Sequence, residues 1–481
     1  MKPLVSCTAF VPTLVSCLAL GGCAVGPDFQ SPAAPAVQSY TRDALPAVAE
    51  AAGAKQTFTQ GDTALPMWWT QFGSDALNHL VDTALQQSPT LTQAKARLTK
   101  AHEDYVAQAG ATEYPAIDAN LSTTRQKVDL NSFGITTVPS PGPFTIYNAS
   151  LSVSYALDIF GGNRRALEGL MAEVNYEAYE LEAAKLSLAG NVVANAIRRA
   201  SLQQQIDLTE RLADTQAHQL SIIERRFVAG GVSELDVRSQ RTLLAQTRAT
   251  LPPLSTQLAQ ADNQLAILLG SAPSEADFHD VTLDSLHLPS TVPVTLPSTL
   301  AHERPDIRAS EALLHQASAN VGVATANLYP QFSISAGIGS DRTRMADVLS
   351  GMNIWNIGLN LTQPLFHGGE LHARKRAAQA DYDAALAAYR QTVLQALQQV
   401  ADALHALNND ARTLRERGDA QREAQASLTI AQAQYAAGGV SQFSLLDSQR
   451  SALQTSLDQS RAQADRLSDT AVLFQSLGRA W

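Results

Sequence analysis

The chain has 481 residues, 45% of them hydrophobic, with 35 Lys+Arg against 45 Asp+Glu and a formal net charge of -10. That length supports a large core or several domains, the apolar fraction excludes a disordered chain, and the acidic balance excludes a binder of nucleic-acid phosphates. Only 17% of residues are charged and the three cysteines, Cys7, Cys17 and Cys23, all fall in the first 23 positions, so no disulfide framework or cysteine metal site is available downstream.

Residues 1–22 carry one charge, Lys2, an apolar run around Phe10 to Leu20, and the ending Leu20-Gly21-Gly22 before Cys23. The run is too short for a transmembrane helix and reads as a secretory signal. Small residues before a cysteine resemble the lipobox of bacterial lipoproteins, which implies that Cys23 is acylated and becomes the first mature residue. Acyl chains there anchor a chain without a spanning helix. Ala24, rather than an acidic residue, resembles the pattern sorted to the outer membrane. Residues 23–66, rich in Ala, Pro and polar residues, are expected to form an extended, lipid-anchored N-terminal arm.

Beyond the arm the chain repeats itself. Ser88-Pro89-Thr90-Leu91 matches Arg304-Pro305-Asp306-Ile307, and Glu113-Tyr114-Pro115 matches Leu328-Tyr329-Pro330 at an offset of 215. Phe160-Gly161-Gly162 matches His367-Gly368-Gly369, and Arg226 to Ser233 matches Gln434 to Ser441 at an offset of 208. Ordered matches at nearly constant offset define a tandem duplication, with repeats over 67–272 and 299–481. Residues 273–298, together with Pro305, interrupt the helical pattern with prolines and read as a crossing segment between the halves.

Each repeat is expected to run helix, two strands, a very long helix, a Gly-Gly turn and another helix. Strands are expected near 116–127, 145–157, 331–341 and 354–365. In the second of these, Tyr147, Ala149, Leu151, Val153, Tyr155 and Leu157 alternate with Asn148, Ser150, Ser152 and Ser154. Such period-two patterning gives one apolar and one small polar face. Strands of about 9–11 residues span a bilayer when tilted, and Tyr147, Tyr155, Phe332 and Trp355 sit near strand ends like an interfacial girdle. Four strands cannot close a barrel and lipid forbids an open edge. Three copies supply twelve strands and leave a lumen.

The long helices are expected over 162–228 and 369–437, neither containing a proline. At about 1.5 Å per residue each would run on the order of 100 Å. Leu386, Val393, Val400 and Leu407 recur every seven residues, a coiled-coil spacing. After the second turn Leu446, Leu453, Leu467 and Phe474 hold a heptad frame broken at Ser460. The turns are Gly230-Gly231-Val232-Ser233 and Gly438-Gly439-Val440-Ser441, with glycines for the positive-φ helix ends and serines as caps for the next helix. Asp236 completes a capping-box variant with Ser233.

Nothing in the pattern reads as an enzyme. His302-Glu303 lacks a second histidine and precedes Pro305, no phosphate-binding glycine loop is present, and the ten histidines are scattered. No cofactor and no metal are expected. The fold class is therefore mainly α with a small transmembrane β part.

The whole mature chain resembles the TolC-like outer-membrane efflux factors, lipoprotein branch of the resistance-nodulation-division type. The residues that carry the likeness are Cys23 to Phe29, Trp68-Trp69 with Phe72, Asn263 to Gly270, Arg304 to Ile307, Tyr329-Pro330 and Leu446 to Arg450. The resemblance implies a homotrimer with a twelve-stranded outer-membrane barrel and a helical periplasmic tunnel, served by a periplasmic adaptor and an inner-membrane pump. Carried over by position, the apolar ring of the aperture falls on Phe443, the acidic positions on Ser444 and Asp447, and a basic partner on Arg450. Ser444 departs from members with two acidic layers. The adaptor would meet Gly230 to Ser233 and Gly438 to Ser441. The implied function is a passive exit duct for drugs or other small toxic compounds. Export of peptides or proteins by a type I system is the alternative cargo. A lipid-anchored periplasmic coiled-coil scaffold is the alternative class.

Overall fold

The computed structural model describes residues 24–42, 48–51, 54–61, 65–275 and 281–478; Cys23 and the signal segment lie outside the described residues. In chain order, β1 (Val48–Ala51) and β2 (Ala54–Gln60) are followed by α1 (Asp75–Gln87) and α2 (Pro89–Glu113). A hairpin of β3 (Ala116–Gln126) and β4 (Phe144–Leu157) leads into α3 (Gly162–Val228), α4 (Glu234–Ala249) and α5 (Leu251–Leu268). The second half runs β5 (Thr291–Val294), α6 (Pro297–Glu303), α7 (Pro305–Ala326), β6 (Gln331–Arg342), β7 (Ile354–Thr362), α8 (Glu370–Ala436) and α9 (Gln442–Ser476). The chain divides into two units. The first holds the described residues up to Ser31, Leu98–Tyr176 and Ser310–Tyr389; the second holds Pro32–Arg97, Glu177–Ala309 and Arg390 onward.

The first unit contains a four-stranded antiparallel sheet in the order β3-β4-β6-β7. Its register joins Ile117, Val153, Ala336 and Ile357 in one cross-strand row and Ala119, Leu151, Ile338 and Trp355 in the next. The row between them is Asp118, Ser152, Gly337 and Asn356. Alternation along each strand thus becomes one apolar and one small polar face across the sheet. The start of the arm is seated in the same unit. Asp28 pairs with the buried Arg165 at 2.6 Å, Phe29 stacks on His315 with centroids 4.3 Å apart, and Ser31 donates to Glu311. At Gly26, with φ +100, a Cβ would lie 2.5 Å from the Gly322 backbone, so only glycine permits this approach.

In the second unit part of the expected arm is drawn into a sheet. Strands β1 and β2 pair antiparallel, and β2 pairs parallel with β5 from the expected crossing segment. Each strand is short, and the sheet joins residues more than 200 positions apart, so no local periodicity reveals it. Trp68, Trp69 and Phe72 are fully buried around Phe474, which stacks on Trp68 at 5.8 Å. Arg304, also buried, grips Asp306 with two hydrogen bonds and donates to the Ser476 carbonyl at 3.0 Å. It thereby satisfies a carbonyl at the end of α9 that the helix cannot pair itself.

The heptad of α8 is realised, with Val393, Val400 and Leu407 buried and Tyr389, Ala396 and Ala403 beside them. In α9 the frame holds at Leu467 and Phe474, which are buried, but not nearer the turn. There Leu446 and Leu453 are half-exposed, while Leu445 and Ala452, one residue earlier, pack with Leu428 and Ala431 of α8.

Further along the same pair of helices, Asp410 of α8 meets Asp465, Arg466 and Asp469 of α9. Burial, then a hydrogen bond to Asp469 and the charges of Asp469 and Asp465, push the Asp410 carboxyl up to about 7; Arg466 opposes this. Arg466 is fully buried and donates to the side-chain amide oxygen Oε1 of Gln56 on β2. A carboxyl whose pKa rises on folding stabilises the fold at low pH, and that stabilisation is lost as pH climbs through the folded value. Thermal stability, followed by loss of helical circular dichroism, is expected to fall between about pH 4 and pH 7. In Asp410→Asn this component of the pH dependence is expected to flatten.

Candidate functional site in the sheet edges and helix tips

Two features of the chain lack ordinary structural closure. The first is the sheet. Its edge strands β3 and β7 each have a neighbour on one side only. Ile117, Leu121, Trp355, Ile357, Leu359 and Leu361 on the apolar face are all more than half exposed. A soluble sheet covers such a face with helix, yet here large apolar side chains stand open.

The second is the pair of helix tips. At the end of α3, Gly231 N–H donates to the Arg226 carbonyl at 2.8 Å and Gly230 N–H to the Phe227 carbonyl at 2.9 Å. At the end of α8, Gly439 and Gly438 repeat both bonds to Gln434 and Tyr435. These are paired Schellman closures. Only the first glycine of each pair, Gly230 at φ 72 and Gly438 at φ 77, takes the left-handed conformation. Gly231 and Gly439 do not, which corrects the expectation for the second position. Ser233 and Asp236 form the full capping box, and Ser441 accepts from the Ser444 N–H at 3.3 Å. Val232 and Val440 stand between the glycines and the caps, half-exposed. Around the first turn, Val228 and Leu235 are largely exposed.

Of the expected aperture residues, Phe443, Asp447 and Arg450 lie together on one face of α9. They line a groove of about 380 Å³ with Leu446 and with Leu235, Arg238 and Leu243 of α4. Phe443 is 78% exposed, an unusual position for a phenylalanine unless something else covers it. Asp447 and Arg450 pair at 2.6 Å as i,i+3 neighbours with both side chains more than half exposed, an arrangement worth little to stability on its own. Ser444 does not line the groove; its carbonyl accepts from Ser448.

A group the sequence reading passed over lies behind this face. Gln216 of α3, Gln240 of α4, and Gln442 and Gln449 of α9 are all buried. Gln442 donates to the Gln240 side chain at 2.9 Å, and Gln240 to the Gln216 carbonyl at 3.2 Å. Both amide atoms of Gln216 and of Gln449 lack a protein partner. Contacts inside each hairpin are different in kind. Leu202 and Ile206 of α3 pack on Leu254 and Ala261 of α5, and α8 packs on α9 through Leu428, Ala431, Leu445 and Ala452. Between hairpins the polar contacts include the amides, the Ser460–Gln204 bond at 2.6 Å, the Arg461–Gln205 bond at 2.9 Å and Arg226 over Tyr435 at 5.9 Å. The seven-residue spacing of Gln442 and Gln449 is the signal that was present in the sequence.

Comparison with known proteins fits this arrangement. A family model described as outer membrane efflux protein matches residues 80–271 and 296–479, and the chain belongs to that family. It is 30% identical to the pyoverdine export outer membrane protein OpmQ of Pseudomonas aeruginosa, over 86% of this chain and 87% of that one. It is also 30% identical to the solvent efflux pump outer membrane protein SrpC of Pseudomonas putida, over 96% of this chain and 97% of the other. Among solved structures, the outer-membrane channel OprN superposes with a TM-score of 0.85 at 28% identity, covering 95% of this chain and 100% of that one.

A leucine at position 449 removes a buried amide with no protein partner while keeping similar volume. Gln449→Leu is expected to raise the midpoint of thermal unfolding, corresponding to about 1 kcal/mol. A lowered midpoint would mean that ordered water satisfies the amide.

Proposed function

We propose that the protein is the outer-membrane exit duct of a tripartite efflux system, conducting small toxic compounds outward without chemistry of its own. The observation that carries this reading is the four-stranded sheet with an open apolar face and two unpaired edges. In hydrocarbon such a face needs no cover, but its edges must be paired. Three copies pairing edge to edge form a twelve-stranded barrel whose small polar face lines the lumen.

In this reading Cys23 carries the acyl chains. The seating of Asp28, Phe29 and Ser31 in the first unit holds the arm that leads from it. The tips at Gly230–Ser233 and Gly438–Ser441 meet a periplasmic adaptor, which links the duct to an inner-membrane pump. Phe443 and Asp447 from three copies constrict the aperture, with Arg450 as the basic partner. Ser444 contributes no charge, so each copy places one carboxylate there. The names of the two relatives above specify pyoverdine in one case and solvents in the other at the same 30% identity. Cargo of such different chemistry is selected upstream, by the pump, rather than by the wall of the duct.

Localisation tests the reading directly. The protein is expected in the outer-membrane fraction as a detergent-extractable trimer with heat-modifiable migration. A water-soluble monomer after Cys23→Ala would overturn it. Truncating the constriction with Phe443→Ala and Asp447→Ala together is expected to raise single-channel conductance in planar bilayers severalfold. Unchanged conductance would move the constriction elsewhere.

A further inference from the structure

The two β-hairpins of the first unit are copies of one another, and their registers align without ambiguity. The β3·β4 ladder begins at Ala116↔Ser154, and the β6·β7 ladder begins at Gln331↔Thr362. Residues of β6 are therefore numbered 215 beyond their counterparts in β3, and those of β7 are 208 beyond those in β4. The β4·β6 ladder is the junction between hairpins within one chain. Between chains the same junction recurs as β7 against β3, and the internal register can be carried onto it. Val153↔Ala336 becomes Leu361 against Leu121. Leu157↔Phe332 becomes Leu365 against Ile117, and Tyr147↔Arg342 becomes Trp355 against Lys127.

We propose that β7 of one copy pairs antiparallel with β3 of the next copy in the register that sets Leu361 opposite Leu121. The inference rests on the trimeric-barrel reading and adds to it the residues that meet. Three features bear on this register. First, it inherits from the β4·β6 ladder the pairing of outward with outward side chains, and a slip of one residue would turn the lipid-facing set toward the lumen. Second, it brings together apolar residues that a single chain leaves open: Leu365 at 91% exposure against Ile117 at 69%, and Leu361 at 56% against Leu121 at 65%. Third, it repeats a chemical pairing. An aromatic residue faces a cation at the loop end of the junction inside the chain, Tyr147 with Arg342, and again between chains, Trp355 with Lys127.

The end of β7 fits the same picture. Strand β4, flanked on both sides, continues to Leu157. Its counterpart β7 has one neighbour and stops at Thr362, three residues short of the equivalent Leu365, with Pro364, which has no N–H to give a ladder, in the interval.

Cysteine cross-linking tests the register, because the chain has no cysteine after Cys23. Within one chain, β3 and β7 are three strand spacings apart, roughly 14 Å, beyond the reach of a disulfide. Any link between them therefore joins two copies. Leu361→Cys with Leu121→Cys probes an outward pair, and Asn360→Cys with Ser122→Cys probes the adjacent inward pair. One of the two is of the closer, non-hydrogen-bonded type. Oxidation of membranes is expected to convert at least one of these variants mainly to a covalent trimer on denaturing gels, whereas each single-cysteine variant stays monomeric. Leu361→Cys combined with Ala119→Cys or Thr123→Cys is expected to link several-fold less. Preferential linking of a shifted pair would overturn the register and leave the trimer standing. No linking in any pair, with wild-type protein at three copies by light scattering in detergent, would overturn the β7·β3 edge. Wild-type protein that is a monomer in detergent would overturn the register and the barrel reading together.

Discussion

A β-sheet with two free edges cannot rest in hydrocarbon, because each unpaired N–H and C=O costs several kcal/mol where no water can reach it. The sheet formed by β3, β4, β6 and β7 has an outward face already suited to lipid. What it lacks is hydrogen-bonding partners along β3 and β7. That deficit cannot be met from within the chain, since the three remaining strands among the described residues form a separate sheet. Other features of the first unit follow from it. The apolar residues can stay uncovered, the opposite face is mostly small and uncharged, with Asp118 and Asp341 charged and Phe144, Ile146 and Ile354 at the loop ends, and the connecting loops need only be polar.

The helices face the opposite solvent problem. They are long and their outer faces are largely polar, so they must bury enough apolar surface to hold together without presenting a large sticky exterior. The chain meets this with alanine-rich heptads. In α8, Val400 and Leu407 are fully buried while Ala396, Ala403 and Ala411 let the neighbouring helix approach closely. The low content of charged and aromatic residues reflects that construction. A 481-residue average is dominated by helix, and the few dozen residues of the four-stranded sheet hardly move it.

Much of this was legible in the sequence, for reasons that separate cleanly from what was not. The strands and the α8 heptad were readable because their periodicity is local and both copies of the duplication carry it. The boundaries of α3 were readable because Gly161-Gly162 and Gly230-Gly231 punctuate a proline-free run. The sheet of β1, β2 and β5 was not, because its strands are too short to show a period and its pairing is remote. The α9 frame is right at Leu467 and Phe474, which are buried, but fails nearer the turn because Leu446 and Leu453 look like core positions. The core at that level is instead partly amide, through Gln442 and Gln449, and leucines beside it turn outward. The Asp410 cluster was invisible since its members lie more than fifty residues apart. Glycine pairs conceal a similar asymmetry. Both positions look alike in sequence, yet only Gly230 and Gly438 have the positive φ that requires glycine.

The distribution of apolar and polar contacts near the tips decides where the second unit is weakest. Inside each helical hairpin the contacts are Leu, Ile and Ala, whose separation would expose apolar surface at roughly 25 cal/mol per Å². Between the hairpins the hydrogen-bonded contacts are glutamine amides, serine and arginine, groups that water can replace at little net cost because hydrogen bonds exchange nearly evenly with solvent, and the apolar Phe443 and Leu446 meet Leu235 and Leu243 only across an open groove. The free energy opposing separation is therefore lower between hairpins than within them, and local opening follows the least stable boundary. The first half adds a second soft point. Its return path breaks at Thr250, where Leu251-Pro252-Pro253 starts α5 afresh, whereas α9 runs unbroken from Gln442 to Ser476. Each α8–α9 hairpin is consequently a single rod sealed along its length by Leu428, Ala431, Leu445 and Ala452. It carries Phe443 and Asp447 on its first turns and meets its neighbouring hairpin through amides that have exchangeable partners.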